Sequence, residues 1–186
     1  MSVTTVSSSM ITDATILNAD IGAAAAIATT KLGAGAVVQV VHAVELARVT
    51  GTTVSVADDT IPQKTEGVEF LTLAITPTNS SNKLLIQARI VTSHTTALAL
   101  TIMALFQDDT ANALACCEQQ APPTTVTRPH IMVLEHYMAA GTTSATTFKI
   151  RAGSNSAGTI DINSQGGART LGGVENATIT ITEIKV

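Results

Sequence analysis

From Val37 onward, apolar and polar residues alternate in short runs separated by turn residues. In the run Lys83–Val91, for example, Leu84, Ile86 and Ile90 would share one face of a strand. The pattern predicts ten strands: Val37–Val49, Thr53–Val56, Val68–Ile75, Lys83–Val91, Ala97–Phe106, Ala113–Glu118, Ile131–Met138, Phe148–Ala152, Thr159–Ile162 and Thr178–Val186. Short strands at this spacing, without an amphipathic helix, predict an all-β fold, an antiparallel β-sandwich or jelly roll.

The first 36 residues follow a different pattern. Aliphatic residues recur there at intervals of five or six, which fit neither a helix nor a strand: Ile11, Ile16, Ile21, Ile27 and Leu32. Small residues between them suit a chain that approaches other chains closely. We therefore expect residues 1–36 to form an extended N-terminal arm that binds copies of this chain or another protein through these five side chains. A flexible arm without a partner is the alternative. Residues 37–186 would form the head.

The composition limits the classes of partner that the chain can bind. Charged residues make up 13% of the chain, aromatic residues 2%, and the net charge is −4. Such a chain lacks a phosphate-binding face and a base-stacking platform, so we expect no nucleic acid partner. No apolar run is long enough to cross a membrane, and the start lacks the basic residues of a secretory signal. A neutral, threonine-rich strand surface has few features that keep subunits apart, which predicts an oligomer.

Candidate catalytic and metal-binding groups are sparse. His130 and His136 would share a strand face but lie about 20 Å apart along it. Asp58–Asp59 and Asp108–Asp109 fit turns that cap their own backbone, with calcium binding as the alternative. Cys116–Cys117 would be free thiols on opposite faces of a strand. We predict no catalytic residue, no metal, no cofactor and no enzyme activity, with a small hydrolase using His130, His136 or Asp58 as the alternative.

Three segments carry a family resemblance: Ile11–Leu32, then Leu73–Pro77 with Ser81–Ile86, and then Phe148–Gly153 with Ile162–Asn163 and Ile179–Ile184. They resemble stretches of small bacteriophage tail-fibre and virion-appendage proteins. The resemblance implies a homotrimer with a β-sandwich head and a short N-terminal stalk. It also implies a place on the virion surface after synthesis in the host cytoplasm.

Within that resemblance, the expected function is structural. The chain would be a trimeric capsid decoration or cement protein whose arm, residues 1–36, attaches to the major capsid protein or another virion protein. The alternative is a short tail fibre that mediates host adhesion. Its loops, residues 58–65, 108–112 and 122–130, would then contact a receptor on the host surface.

Overall fold

The computed structural model describes residues 31–121 and 127–186. The chain divides into two compact units, Met1–Leu32 and Gly33–Val186, and the second unit holds all the described strands. These are β1 (Val37–Glu45), β2 (Val49–Gly51), β3 (Val68–Ile75), β4 (Lys83–His94), β5 (Leu100–Gln107), β6 (Ala115–Gln120), β7 (His130–Ala139), β8 (Thr146–Ser154), β9 (Ile160–Ile162) and β10 (Ala177–Ile184). A short 3₁₀ turn spans Leu171–Gly173.

The strands form two antiparallel sheets. In the first sheet β1 pairs with β10, β10 with β4, and β4 with β7. The last residues of β4 also pair with β9, which pairs with β2. The second sheet has the order β3-β8-β5-β6. Strands β1 and β7 therefore lie at opposite edges of the main part of the first sheet.

One hydrophobic core lies between the sheets. Alternation along the strands points Ile86 and Ile181 of the first sheet toward Leu105, Phe148 and Ile150 of the second, and all five side chains are fully buried. A fold of this kind needs no disulfide or metal to hold it together. The predicted all-β antiparallel sandwich of the jelly-roll kind is confirmed.

The predicted strand Val37–Val49 is interrupted in the structure. The side-chain amide of Asn163 donates to the carbonyl oxygen atoms of Glu45, at 2.7 Å, and Ala47, at 3.2 Å. Next to this contact, Arg48 pairs with the buried carboxylate of Asp161. Both contacts hold the chain in a corner between β1 and β2, and neither is visible in local hydrophobic alternation.

The following segment was also predicted wrongly. Residues 50–52 fall between the predicted strands Val37–Val49 and Thr53–Val56, but Thr50 and Gly51 belong to β2 and pair with β9. The predicted strand Thr53–Val56 reduces to one isolated bridge between Val54 and Ser154. The segment instead lies beside the end of β8, where the backbone N–H of Ser55 donates to the carbonyl oxygen of Ser154 at 2.9 Å.

The predicted arm lies almost entirely outside the described residues. Ile11, Ile16, Ile21 and Ile27 fall there, while Leu32 is half-buried at the end of the first unit. The extended arm and its binding role stay predictions.

Candidate functional site

The side of the first sheet that points away from the core is open in the single chain as far as Arg89 on β4, whereas Val91 and Ser93 further along β4 are buried. We call it the outer face and define it by the outward residues of β1, β10, β4 and β7. The strand register places these residues in rows across the sheet: Val44, Thr178, Arg89 and Val133 in one row, His42, Thr180, Gln87 and Glu135 in the next, and Val40, Thr182, Leu85 and Tyr137 in a third. Ile131, two residues before Val133 on β7, lies on the same face at the same edge of the sheet.

Two apolar patches lie at the two edges of this face. The β1 patch consists of Val40 and Val44, and the β7 patch of Ile131, Val133 and Tyr137. All five side chains are exposed, with Val133 the most accessible at 63%. Three strand spacings separate the patches, which is about 14 Å. Exposed apolar patches of this kind mark interaction sites.

The polar groups between the patches have partners within the face. Arg89 donates to the backbone carbonyl of Asn176 at 3.1 Å, and Gln87 donates to the Glu135 carboxylate at 2.9 Å. His42 Nδ1 lies 2.9 Å from the Thr180 hydroxyl. Since these groups already have partners, covering the face leaves few of them without a hydrogen bond.

The paired aspartates stabilise loops. Asp58 accepts hydrogen bonds from the hydroxyl and backbone N–H of Thr60, and these bonds lower the pKa of its carboxyl. Asp108 accepts from the backbone N–H of Thr147 at 2.8 Å. The hydrogen bond and charge of Lys64 lower the pKa of Asp109. Within residues 31–121 and 127–186, no three His, Cys, Asp or Glu side chains come together as a metal site.

The residues of the hydrolase alternative are not brought together. His130 and His136 lie on β7, as predicted. Asp58 lines a shallow groove of about 380 Å³ between its own loop and residues 113–116, and neither histidine lines that groove. In the described part of the chain, no helix is long and apolar enough to cross a membrane.

The two cysteines are free thiols, as predicted. Cys116 is exposed and lines the groove beside Asp58. Cys117 packs against the core, and burial, together with the neighbouring thiol, raises its pKa to about 11. Cys117 therefore stays protonated at neutral pH and is a poor nucleophile.

Sequence reasoning missed a buried carboxylate in β10. Glu183 is fully buried in the alternation that places Ile179 and Ile181 in the core. Its oxygens accept hydrogen bonds from the side-chain amides of Asn82 and Gln39, both at 2.6 Å. The signal was present in the sequence, because a charge stands where the alternation calls for an apolar residue.

It also missed a polar layer at the other end of the core. His94 is buried on β4, and His130 lies near it at the start of β7. Both ring nitrogens of His130 are buried without a hydrogen-bond partner among the described residues, as is the hydroxyl of Thr92, which pairs with His130 in register. Hydrophobic alternation does not indicate that the ring nitrogens of His130 are buried.

The fold has distant likenesses among solved structures. Latent PorU from Porphyromonas gingivalis is 8% identical, with a TM-score of 0.39 over 82% of this chain and 14% of that one. The VP2 subviral particle of infectious bursal disease virus is 10% identical, with a TM-score of 0.35 over 80% of this chain and 38% of that one. The chain thus spans much less than two thirds of either protein, and likenesses at this level carry no conclusion about function. No curated protein matches the sequence.

A family model described as the Pgp3 C-terminal domain matches residues 46–186, about three quarters of the chain. The inferred membership of a bacteriophage tail-fibre or virion-appendage family is therefore wrong. The expected capsid decoration, cement and tail-fibre functions rested on that membership and are also wrong. The predicted place on a virion surface was implied by the same resemblance and has no other support. Two of the three segments behind the resemblance are strand and turn residues, such as Leu73–Pro77 with Ser81–Ile86, which here form the end of β3, a turn and the start of β4, two strands of different sheets. The chain belongs to the family of the Pgp3 C-terminal domain.

Proposed function

We propose that this chain is a non-catalytic assembly module that forms a homotrimer through the outer face of its first sheet. The observation that carries the proposal is the pair of exposed apolar patches at the two edges of that face. A low content of charged residues, 13%, also favours self-association.

The position of the patches favours a ring. A twofold dimer needs one patch that is complementary to itself. Here the β1 patch and the β7 patch lie on opposite edge strands, so the β7 patch of one subunit can cover the β1 patch of the next. Such head-to-tail contacts close into a ring, and three subunits make the smallest one.

The available burial is large enough to matter. The five side chains of the two patches are each about half exposed. Covering them contributes roughly 4–8 kcal/mol per interface before the costs of association, at about 1.5–3 kcal/mol for a fully buried large apolar side chain. A closed trimer gains three such interfaces for two association steps.

Assembly without catalysis agrees with the chemistry of the described residues. The aspartates considered for catalysis or metal binding cap loops or pair with lysine. With a net charge of −4, the chain has no excess of positive charge to attract nucleic acid, so the proposal does not extend to that partner.

Light scattering coupled to size-exclusion chromatography tests the proposal. We expect the full chain to have three times its mass of 19.1 kDa. Val133→Arg, which places a second positive charge opposite Arg89 in the β7 patch, should yield monomers with an unchanged far-ultraviolet circular dichroism spectrum. Ile61→Arg is the matched control, because Ile61 is also exposed, at 53%, but lies in the loop that lines the groove with residues 113–116 beside the second sheet. A monomeric or dimeric wild type, or a trimeric Val133→Arg variant, contradicts the proposal.

A further inference from the structure

The first residue of β7 combines burial with the absence of a partner. The ring nitrogens of His130 are shielded from solvent, and neither forms a hydrogen bond with the described residues. The hydroxyl of Thr92, its neighbour on β4, is also buried and unpartnered. A neutral imidazole can be held there at modest cost, whereas an imidazolium would be a buried charge that the backbone carbonyl of Arg128 compensates only in part.

The charged and titratable neighbours of His130 do not compensate such a charge. On β4 the neighbour is His94, whose own protonation would repel it. On β9 Asp161 is already paired with Arg48. The backbone carbonyl of Arg128 favours the protonated ring, but by less than burial disfavours it.

The two other strands packed against β7 add little charge that could compensate a protonated His130. Strand β6 carries Cys117, whose thiol stays neutral, and Glu118, which is exposed. Strand β5 carries no titratable side chain. Burial, and the nearby His94, therefore lower the pKa of His130, and burial also lowers the pKa of His94.

We propose that His130, together with His94, is an acid-sensitive latch on the start of β7. At neutral pH both rings are neutral and packed, and the strand is held in place. At mildly acidic pH His130 takes up a proton, which requires this end of β7 to open toward water. Ile131 and Val133 of the β7 patch directly follow, so opening weakens the subunit contact. This last step rests on the proposed trimer, but the latch itself does not.

The size of the effect follows from proton linkage. An unfolded or opened histidine has its ordinary pKa of about 6.5. A ring that stays neutral in the closed state therefore shifts the opening equilibrium by up to about tenfold between pH 7.5 and 5.5. His94 adds up to the same factor where the opening also exposes it.

Hydrogen exchange of the full chain at pH 7.5 and 5.5, corrected for intrinsic rates, tests the latch. We expect the protection of residues 130–133 to fall several-fold to tenfold more at pH 5.5 in the wild type than in His130→Phe. Phenylalanine keeps an aromatic ring and removes the two unpartnered nitrogens. His136→Gln, on the same strand, should behave as the wild type. A wild type with pH-independent protection, or a His130→Phe variant with the full response, overturns the proposal.

Mass measurement on the same samples separates the two proposals. A trimer at pH 7.5 that dissociates at pH 5.5 only when His130 is present supports both. A monomer at both pH values with a His130-dependent loss of protection refutes the trimer and supports the latch. If His130→Phe does not fold, the nuclear magnetic resonance titration of the wild-type ring decides. A midpoint below 6.5, with simultaneous changes in β7 amide signals, supports the latch, and an ordinary midpoint without such changes refutes it.

Discussion

Replacing Glu183 by glutamine tests how far one buried carboxylate stabilises the fold. The side chain lies at the end of β10 and binds the turn between β3 and β4. Its Oε1 accepts from the backbone N–H of Thr78 at 2.9 Å, the Thr78 hydroxyl at 2.8 Å and the Asn82 amide at 2.6 Å. Its Oε2 accepts from the Gln39 amide at 2.6 Å. The contacts join β1, the turn and the C-terminal strand.

The variant keeps the shape of the side chain and removes half of its accepting capacity. If the glutamine oxygen takes the Oε1 position, its amide faces the Gln39 amide, and two donors then meet. The Gln39 amide also donates to the carbonyl of Thr76, so turning it over breaks a second contact. A hydrogen bond to a charged group contributes about 1.5–3 kcal/mol, and loss of one or two predicts a destabilisation of roughly 2–4 kcal/mol.

Urea unfolding followed by far-ultraviolet circular dichroism measures this difference at one fixed protomer concentration. Glu69→Gln is the control, because Glu69 is partly exposed and its pairs with Lys149 and Arg151 are 3.9 and 3.6 Å long. We expect that control to change the free energy of unfolding by less than about 1 kcal/mol. A Glu183→Gln variant as stable as the control would refute the assignment.

The pH dependence gives a second check on the same variant. Burial alone raises the pKa of Glu183, but the hydrogen bonds from Asn82, Gln39 and Thr78 outweigh it, and the pKa lies below the ordinary value of 4.5. The ionised carboxylate therefore stabilises the fold fully above about pH 4.5, and this contribution is lost as the pH falls through the lower, folded value. The difference between the wild type and Glu183→Gln should narrow below pH 4.5. A difference that stays constant to pH 3 would contradict the hydrogen-bonded carboxylate.

Two further predictions concern packing and thiol chemistry. Gly153→Ala should destabilise the fold by roughly 1–3 kcal/mol, because a Cβ atom there would lie 2.8 Å from the Cα of Gly67. Gly33→Ala, with open space around it, should leave the thermal midpoint unchanged, and equal midpoints for both variants would contradict this view. Ellman's reagent at pH 8 should modify Cys116 in the native protein and Cys117 only after unfolding, since burial raises the pKa of Cys117 to about 11. A native Cys116→Ser variant that reacts quickly would disprove the burial of Cys117.

The sequence predicts the sandwich because alternation is a local property. In β10 each inward position is apolar except Glu183, and in the first part of β4 the inward residues are Leu84, Ile86, Ala88 and Ile90, so the faces can be assigned without knowing the partners. The corner between β1 and β2 could not be foreseen in this way. It depends on Asn163 and Asp161, more than a hundred residues away in the chain.

The candidate site was predictable only in part. A neutral, threonine-rich surface indicated self-association, but its location required the register that aligns Val44 with Thr178 and Val133 with Arg89. The family was missed because two of the three segments used for the resemblance, Leu73–Ile86 and Phe148–Ile184, consist mainly of strand and turn residues. Such residues are chosen by backbone geometry, and they recur in unrelated β-proteins.

Strand β7 gives the strongest link between the sequence and assembly. Its first half is apolar on both faces, with Met132 and Leu134 in the core and Ile131 and Val133 outside. Strands with this composition are typical of sheets covered on both sides. Strand β10 of the same sheet differs, because it is apolar toward the core and carries threonines outward. The core covers only the inner face of β7. The outer apolar side chains of β7 would therefore be buried only by contact with another subunit. The β1 patch of a neighbouring subunit has the chemistry to provide it, which favours contact at the edge strand over contact across the middle of the sheet.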